Sequence, residues 1–462
     1  MSQSNMTIGP ISSHIKKIAI PASIGFLFNT LFNVVDTFYA GQLSTDSLSG
    51  LTLSFPIFFI IISIASGFGN GLSALLANAL GKKDIQRFHT YILHAVIFGL
   101  IMGVLFVTVI PLVIEPYFNA TGASNIVKEN GISYTQTIFM GGIFFVFNFI
   151  LNAILQSQGN AKPFRNYLIL GFFLNLILDP LFIFGWFGLP EFGTQGVAIA
   201  TIIVQAIGTV YLTYNVLKSE LFNKKLIELK HLSLKIMRDL ILQGLPASLN
   251  LAAVAIGIFI INYYVLQYGD ELAVAAYGSA LRIQQIALLP TIGLNFAIIS
   301  IVGQNFGAEQ LDRVYETKNK ALKAGLWIAA IGGALVFIFA PQLIAIFNDA
   351  PRIIEVGTLY LRIDTIGFLA YVFINVHVST LQGVKRPTYG LWIALFRQIS
   401  PIIVFPFLAE VVGLGLSGVF YGIVVVNWIA TFIIVYITFR ILKKQTEDLK
   451  LDIKKTPTLS TE

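Results

Sequence analysis

The chain has 462 residues, of which 56% are hydrophobic and only 11% charged, with a mean hydropathy of +0.79. A soluble domain of that composition could not cover itself with polar surface, so much of the chain must face lipid. The net charge of +7 reads as loop charge that sets membrane topology and gives no reason to expect a nucleic-acid partner, and with no cysteine in the chain, disulfide, thiol and iron–sulfur chemistry are excluded.

Crossing the hydrocarbon core takes roughly 20 apolar residues of helix. Twelve such runs follow one another, at about 14–39, 51–77, 91–115, 132–155, 166–186, 195–217, 240–266, 274–303, 322–346, 357–381, 390–411 and 416–440. They lack the strict alternation of lipid-facing barrel strands. The first follows a weakly basic start and has no small-residue cleavage pattern, so it is expected to be a retained helix. The fold class is therefore an all-α polytopic membrane protein.

The connections alternate in charge. One set reads GKKDIQR, GNAKPFR, the long stretch from Lys218 to Arg238, EQLDRVYETKNKALK, GVKRP and the tail. With both termini, this set carries every one of the 30 basic residues except Lys128, Arg282, Arg352, Arg362 and Arg397. Positive charge marks the cytoplasmic side. Both termini are therefore expected in the cytoplasm of a multi-pass protein of the plasma (inner) membrane. The domain reading is an N-terminal six-helix bundle over 1–217, a cytoplasmic linker over 218–238 with room for a surface-lying amphipathic helix, a C-terminal six-helix bundle over 239–442 and a cytoplasmic tail over 443–462.

The two halves repeat. IPASI at 20–24 returns as LPASL at 245–249, and Asn78 and Gly81 of NALGKKD return as Asn305 and Gly307 of QNFGAEQ. QGNAKP at 158–163 returns as QGVKRP at 382–387, and GTQGV at 193–197 as GLSGV at 415–419. Halves with an even number of spans share one orientation and are related by an axis along the membrane normal. Duplication of this kind points to a transporter with its substrate site between the halves.

These residues carry a family resemblance. Pro21 and Asp36 in the first span, NALGKKD, QGNAKP, Asn175 with Asp179 in LNLILDP, GVAIAT at 196–201 and YLR at 360–362 before LQGVKRP together resemble the multidrug and toxic compound extrusion (MATE) family, within it the DinF-like branch. The resemblance spans nearly the whole chain. It implies two pseudo-symmetric six-helix bundles forming a V. It also implies export of cationic or amphipathic small molecules against inward H+ or Na+, with no other cofactor and no enzymatic activity. A monomer in the lipid bilayer is expected.

Asp36 stands far along the first span with no basic residue nearby in the chain. A buried carboxylate is costly and can shed its charge by taking up a proton, which makes Asp36 a candidate proton carrier. Asp179 lies at similar depth in another outward-going span, and Asn175, four residues earlier, shares its helical face. Pro180 cannot donate its amide and can free a carbonyl for a cation. Two carboxylates, an amide oxygen and the Thr201 hydroxyl of the family-like GVAIAT form a hard-oxygen set suited to H+ or Na+. Beyond Na+ at Asp36, Asp179 and Asn175, no metal site is expected. Pro21 is expected to kink the first span, and the resemblance adds a bend that responds to protonation of the aspartate.

The second half does not copy this site, because the positions matching Asp36 and Asp179 fall near Ile261 and Ile403. Some family members hold a cation there with an acidic residue in the seventh span, where NLAAVAIGIFIINYYV has none. Asp364, with Tyr360 one turn earlier, fits part of that pattern but is expected to belong to a structural polar cluster. Arg282 and Arg397 are expected as partners of carboxylates or carbonyls. His94 and His377 are expected as core histidines, and the Phe-rich runs PIFFII and GGIFFVFNFI mostly as packing or lipid-facing. Two other functions stay open at this point. A lipid-linked sugar flippase would want a basic cavity, and a membrane-embedded transferase would want a concentrated polar site.

Overall fold

The computed structural model describes residues 5–455. The first half comprises α1 (Ile11–Leu43), α2 (Thr45–Gly81), α3 (Ile85–Ala120), α4 (Asn125–Met140), α5 (Gly142–Ser157), α6 (Lys162–Ile183) and α7 (Thr194–Leu217). The second comprises α8 (Leu234–Tyr268), α9 (Glu271–Gly307), α10 (Leu311–Ala345), α11 (Pro351–Gly383), α12 (Thr388–Ile399), α13 (Pro401–Pro406) and α14 (Gly415–Lys455). Among the described residues, eleven stretches are each long and apolar enough to span a membrane. The bent pair α4–α5 supplies a twelfth span with a 46° break. That break falls at Gly141, where a Cβ would lie 2.4 Å from the Ile202 side chain, so only glycine lets the elbow approach α7. Another span is assembled from α12, α13 and a π-helical turn over Phe407–Val411.

Local chemistry sets the helix ends. Ser44, Asp84 and Asp270 each accept from the backbone N–H three residues on, at 2.9, 2.9 and 2.7 Å, the usual way to satisfy a first-turn donor. At their C-termini α2, α5, α9 and α11 end in the same Schellman cap. Asp84, Asn160, Gln310 and Arg386 donate to the carbonyls of Ala79, Leu155, Asn305 and Leu381 at 2.9, 3.0, 2.8 and 2.7 Å. Two of the four matched pairs, NALGKKD with QNFGAEQ and QGNAKP with QGVKRP, are thus repeats of one turn. The left-handed residue of the cap is Gly159 in one copy but Lys83, Glu309 and Lys385 in the others, with φ between 58° and 60°. A left-handed backbone costs an L-residue about 1–2 kcal/mol, partly offset in glycine by a freer unfolded chain. Lys385→Gly is therefore expected to stabilise the protein by about 0.5–1 kcal/mol, read as a raised midpoint in thermal unfolding in detergent.

The buried apolar residues form two cores. One is built from α2–α7 with the far part of α1 and Leu240 of α8, and the other from α8–α14 with Met6, Ala161 and the near part of α1, from Ile11 to Ala22. Helix α1 therefore begins within the second bundle and ends in the first. The linker does not form the amphipathic helix expected from its charge. It makes two short 3₁₀ turns, Lys224–Leu226 and Leu229–His231, and is tacked to α3. His89 accepts from Asn223 N at 2.9 Å, and His94 bonds Ser233 at 3.0 Å. Both histidines also contact their own i−4 carbonyls, so His94 is structural, as is the buried His377 on Phe373 O. Part of the expected tail, residues 456–462, lies outside the described residues.

Among the described residues, hydrogen bonds between the halves are confined to the end with the basic loops and to the middle of the bundle. Asn78 Nδ2 donates to Gly383 O at 2.9 Å, Gln304 Nε2 to Ser157 O at 2.8 Å and Gln156 Nε2 to Phe296 O at 2.9 Å. Met6 is wholly buried there, its N–H on Gln304 Oε1 and its carbonyl on Asn305 Nδ2. Ser23 Oγ donates to Pro290 O at 3.1 Å where α1 crosses α9. Beyond that crossing the halves part, giving a V that opens toward the end with the neutral loops.

Candidate functional site

Asp36 on α1 and Asp179 on α6 meet. Asn175 Nδ2 donates to Asp36 Oδ1 at 2.6 Å and to Asp179 Oδ2 at 3.0 Å, so one amide bridges the two carboxyl groups. Asp36 is 7% exposed, and Asn175 and Asp179 are fully buried. Among the described residues no lysine, arginine or histidine pairs with either carboxylate. Two like charges in contact away from water repel strongly. The arrangement suits a proton shared between the carboxyls, or a small cation held by their oxygens.

Thr201 reaches the same level. Helices α6 and α7 pack antiparallel, with Gly196 against Phe182–Ile183 and Gly171 against Val204, which sets Thr201 beside Asn175. Asn175 Oδ1, Asp179 Oδ1 and Thr201 Oγ1 are all buried without a hydrogen-bond partner. Three orphaned oxygens, one of them a carboxylate oxygen of the pair, fit a hard cation. Tyr134 of α4, also buried, lies close enough to interact electrostatically with both aspartates.

Pro180 does free a carbonyl, that of Leu176, but the Tyr39 hydroxyl takes it at 3.4 Å. The tyrosine thus ties α6 to α1 at the carbonyl that the proline frees. Tyr39→Phe is expected to cost about 1 kcal/mol of stability, measured as a lower unfolding midpoint. Pro21 is buried inside a continuous α1, next to the Ser23–Pro290 crossing.

A cavity of about 480 Å³ opens beside the pair, with Asp36 and Thr201 in its wall. Its faces are aromatic, including Phe26, Phe58, Phe149, Phe164 and Phe296, and its polar groups are mainly amides, including Asn33, Asn70, Asn148, Gln205, Asn295 and Asn375. Its lining includes no lysine, arginine or histidine among the described residues. Both Phe-rich runs contribute to this wall, through Phe58, Phe59, Phe145 and Phe149.

The remaining candidates lie elsewhere. Asp364 is fully buried in the second half, where Tyr371 OH donates to it at 3.4 Å. Arg397 Nε donates to Asn427 Oδ1 at 2.7 Å and its guanidinium lies over the Tyr371 ring. Tyr360 packs edge-on against Tyr277. This polar cluster does not line the cavity. Arg282 is exposed and makes no hydrogen bond or ion pair among the described residues, which corrects its expected role as a partner; it projects from the unpacked face of α9, as Gly278 and Gln285 do.

Residues that sequence reasoning missed are Tyr39, Tyr134, Asn148, Tyr167 and Gln205. Asn148 offered a signal, being a lone amide inside GGIFFVFNFI.

Two six-span bundles around a central cavity, with buried carboxylates in its wall, define a membrane transporter. The MatE family model matches residues 21–181 and 246–407, one stretch in each half, and the chain belongs to that family. It is 27% identical over 383 residues to the probable multidrug resistance protein NorM of Thermotoga maritima, covering 82% of this chain and 80% of that one. It is 24% identical to the FAD transporter of Shewanella oneidensis, covering 94% and 95%. Among solved structures it superposes with a TM-score of 0.89 and 27% identity on an outward-facing multidrug resistance MATE family transporter of the MOP superfamily, covering 97% and 99% of the two chains. The score is again 0.89, at 27% identity and over 96% and 100% of the chains, for a MOP superfamily transporter from Pyrococcus furiosus whose title describes a binding pocket of reverse polarity.

Proposed function

We propose that the protein is a secondary active antiporter that exports cationic or amphipathic small molecules in exchange for inward H+ or Na+. Both termini and the basic loops face the cytoplasm, so the V opens outward. The observation that carries the reading is the Asp36–Asn175–Asp179 cluster set beside a wide aromatic cavity. A proton or Na+ arriving from outside neutralises the pair, and substrate and ion then favour different states or compete for one site. Asp36 and Asp179 carry the ion, Asn175 and Thr201 complete its oxygen set, and Pro21 and Pro180 act where α1 and α6 must shift. One pH unit supplies about 1.4 kcal/mol per proton, and the membrane potential about 2.3 kcal/mol per charge per 100 mV. A flippase for lipid-linked pyrophosphates fits less well, because the cavity wall offers no basic side chain to a phosphate.

The test is ethidium export from proteoliposomes under an imposed ΔpH or ΔNa+. Export under one gradient is expected and names the ion; export under neither would sink the antiport reading. Thr201→Val removes one of the orphaned oxygens without changing shape. It is expected to raise the half-saturating concentration of the coupling ion about three- to tenfold.

A further inference from the structure

Gln205 faces the cavity from α7, one helical turn, or about 6 Å, beyond Thr201. Its amide orientation follows from a group that cannot flip. Asn148 Nδ2 lies 3.0 Å from the backbone carbonyl of Gln205, which can only accept. That fixes the NH2 end of Asn148 toward Gln205, and the same nitrogen donates to Gln205 Oε1 at 2.8 Å. Tyr167 OH donates to the same oxygen at 2.5 Å. With Oε1 taken twice from the protein side, Nε2 is left on the cavity side, and among the described residues its two hydrogens meet no acceptor. Around it stand the rings of Phe149 and Phe164, 5.9 Å apart, with Phe164 in turn 5.7 Å from Tyr167.

A rigid neutral donor beside aromatic faces selects for an acceptor on a flat ring system. We infer that Gln205 is a specificity-determining residue that docks a hydrogen-bond acceptor carried on the ring system of a planar aromatic substrate. This rests on the export reading, which supplies the cavity's role. It goes beyond that reading by requiring a feature that a generic lipophilic cation lacks. A site built to donate one hydrogen bond separates ligands with and without the acceptor, because the unmatched donor is left dry.

The test uses the full chain in detergent and two fluorescent dyes, 10-methylacridinium and its 2-acetyl derivative, which adds an acceptor and no donor, titrated by fluorescence quenching. The wild type is expected to bind the acetyl dye about three- to tenfold more tightly. Gln205→Leu and Gln205→Glu are both expected to erase that preference; Gln205→Leu binds the two dyes about equally, and Gln205→Glu binds both cations more tightly but without distinguishing them. Gln205→Glu is the stringent variant: its carboxylate still accepts from Asn148 and Tyr167 but turns an acceptor to the cavity. A preference that survives in both variants, or no preference in the wild type, overturns the inference and leaves export standing. Binding of neither dye by the wild type overturns both together.

Discussion

In proteoliposomes carrying a ΔpH of one unit, Asp36→Asn is expected to abolish concentrative export while leaving substrate binding within about threefold of the wild type. At one proton per substrate the wild type reaches a steady-state gradient of about tenfold, since one pH unit is about 1.4 kcal/mol; the variant is expected to relax to no gradient. The substitution keeps the oxygen that accepts from Asn175 Nδ2, so the contact between α1 and α6 survives while the titratable group is lost. Binding therefore separates loss of coupling from loss of fold. Asp179→Asn is expected to act in the same way, because its Oδ2 contact with Asn175 can be kept in the same manner. A strong ΔNa+ response in the wild type with no ΔpH response would leave the same residues in place and change only the ion. If Asp36→Asn still concentrates ethidium under either gradient, the coupling site is elsewhere, and the buried Asp364 beside Tyr371 becomes the next residue to change.

The carboxylate cluster was legible in the sequence for an energetic reason. A charge inside an apolar span is expensive, so it stands out, and Asn175 and Asp179 are four residues apart on one helix face. Half of the repeat was legible because helix caps have fixed chemistry: two of its four matched pairs are Schellman caps. The cavity was not legible. A phenylalanine facing lipid and one facing a drug site meet similar apolar surroundings, so PIFFII and GGIFFVFNFI give no sign of which side they present. Amides carry less cost than charges, and Asn148 and Gln205 do not stand out as Asp36 does. Their role follows from a pairing across 57 residues of chain that no local pattern encodes. Arg282 misled for the opposite reason: a charge inside a span invites a partner, yet the packed face of α9 turns it away from every candidate.

The second large effect is expected at the seal on the basic-loop side. A Cβ on Gly307 would lie 2.2 Å from the Asn78 carbonyl oxygen, and one on Gly81 would lie 2.0 Å from the Gln304 carbonyl oxygen. Both approaches are backbone to backbone, so no side-chain rotation relieves them. Gly307→Val must separate α2 from α9 by roughly an ångström or more to reach ordinary contact, which breaks the hydrogen bonds clustered at this end. The equilibrium is then expected to move from the V open at the neutral-loop end toward a state open on the basic-loop side. Because the chain has no cysteine, Ser73→Cys supplies a single reporter at a position that is buried and 3.4 Å from Ser300 across the seal. Its maleimide labelling from the basic-loop side is expected to rise about tenfold or more when Gly307→Val is added, a shift of about 1.4 kcal/mol or more in the opening equilibrium. Gly278→Val on the same helix is the control, since a Cβ there meets nothing within 4 Å. Export should fall with Gly307→Val and persist with Gly278→Val. Equal labelling of the two would mean that the close glycine crossing does not hold the seal, and that the Asn78, Gln156 and Gln304 hydrogen bonds keep the basic-loop side closed without it.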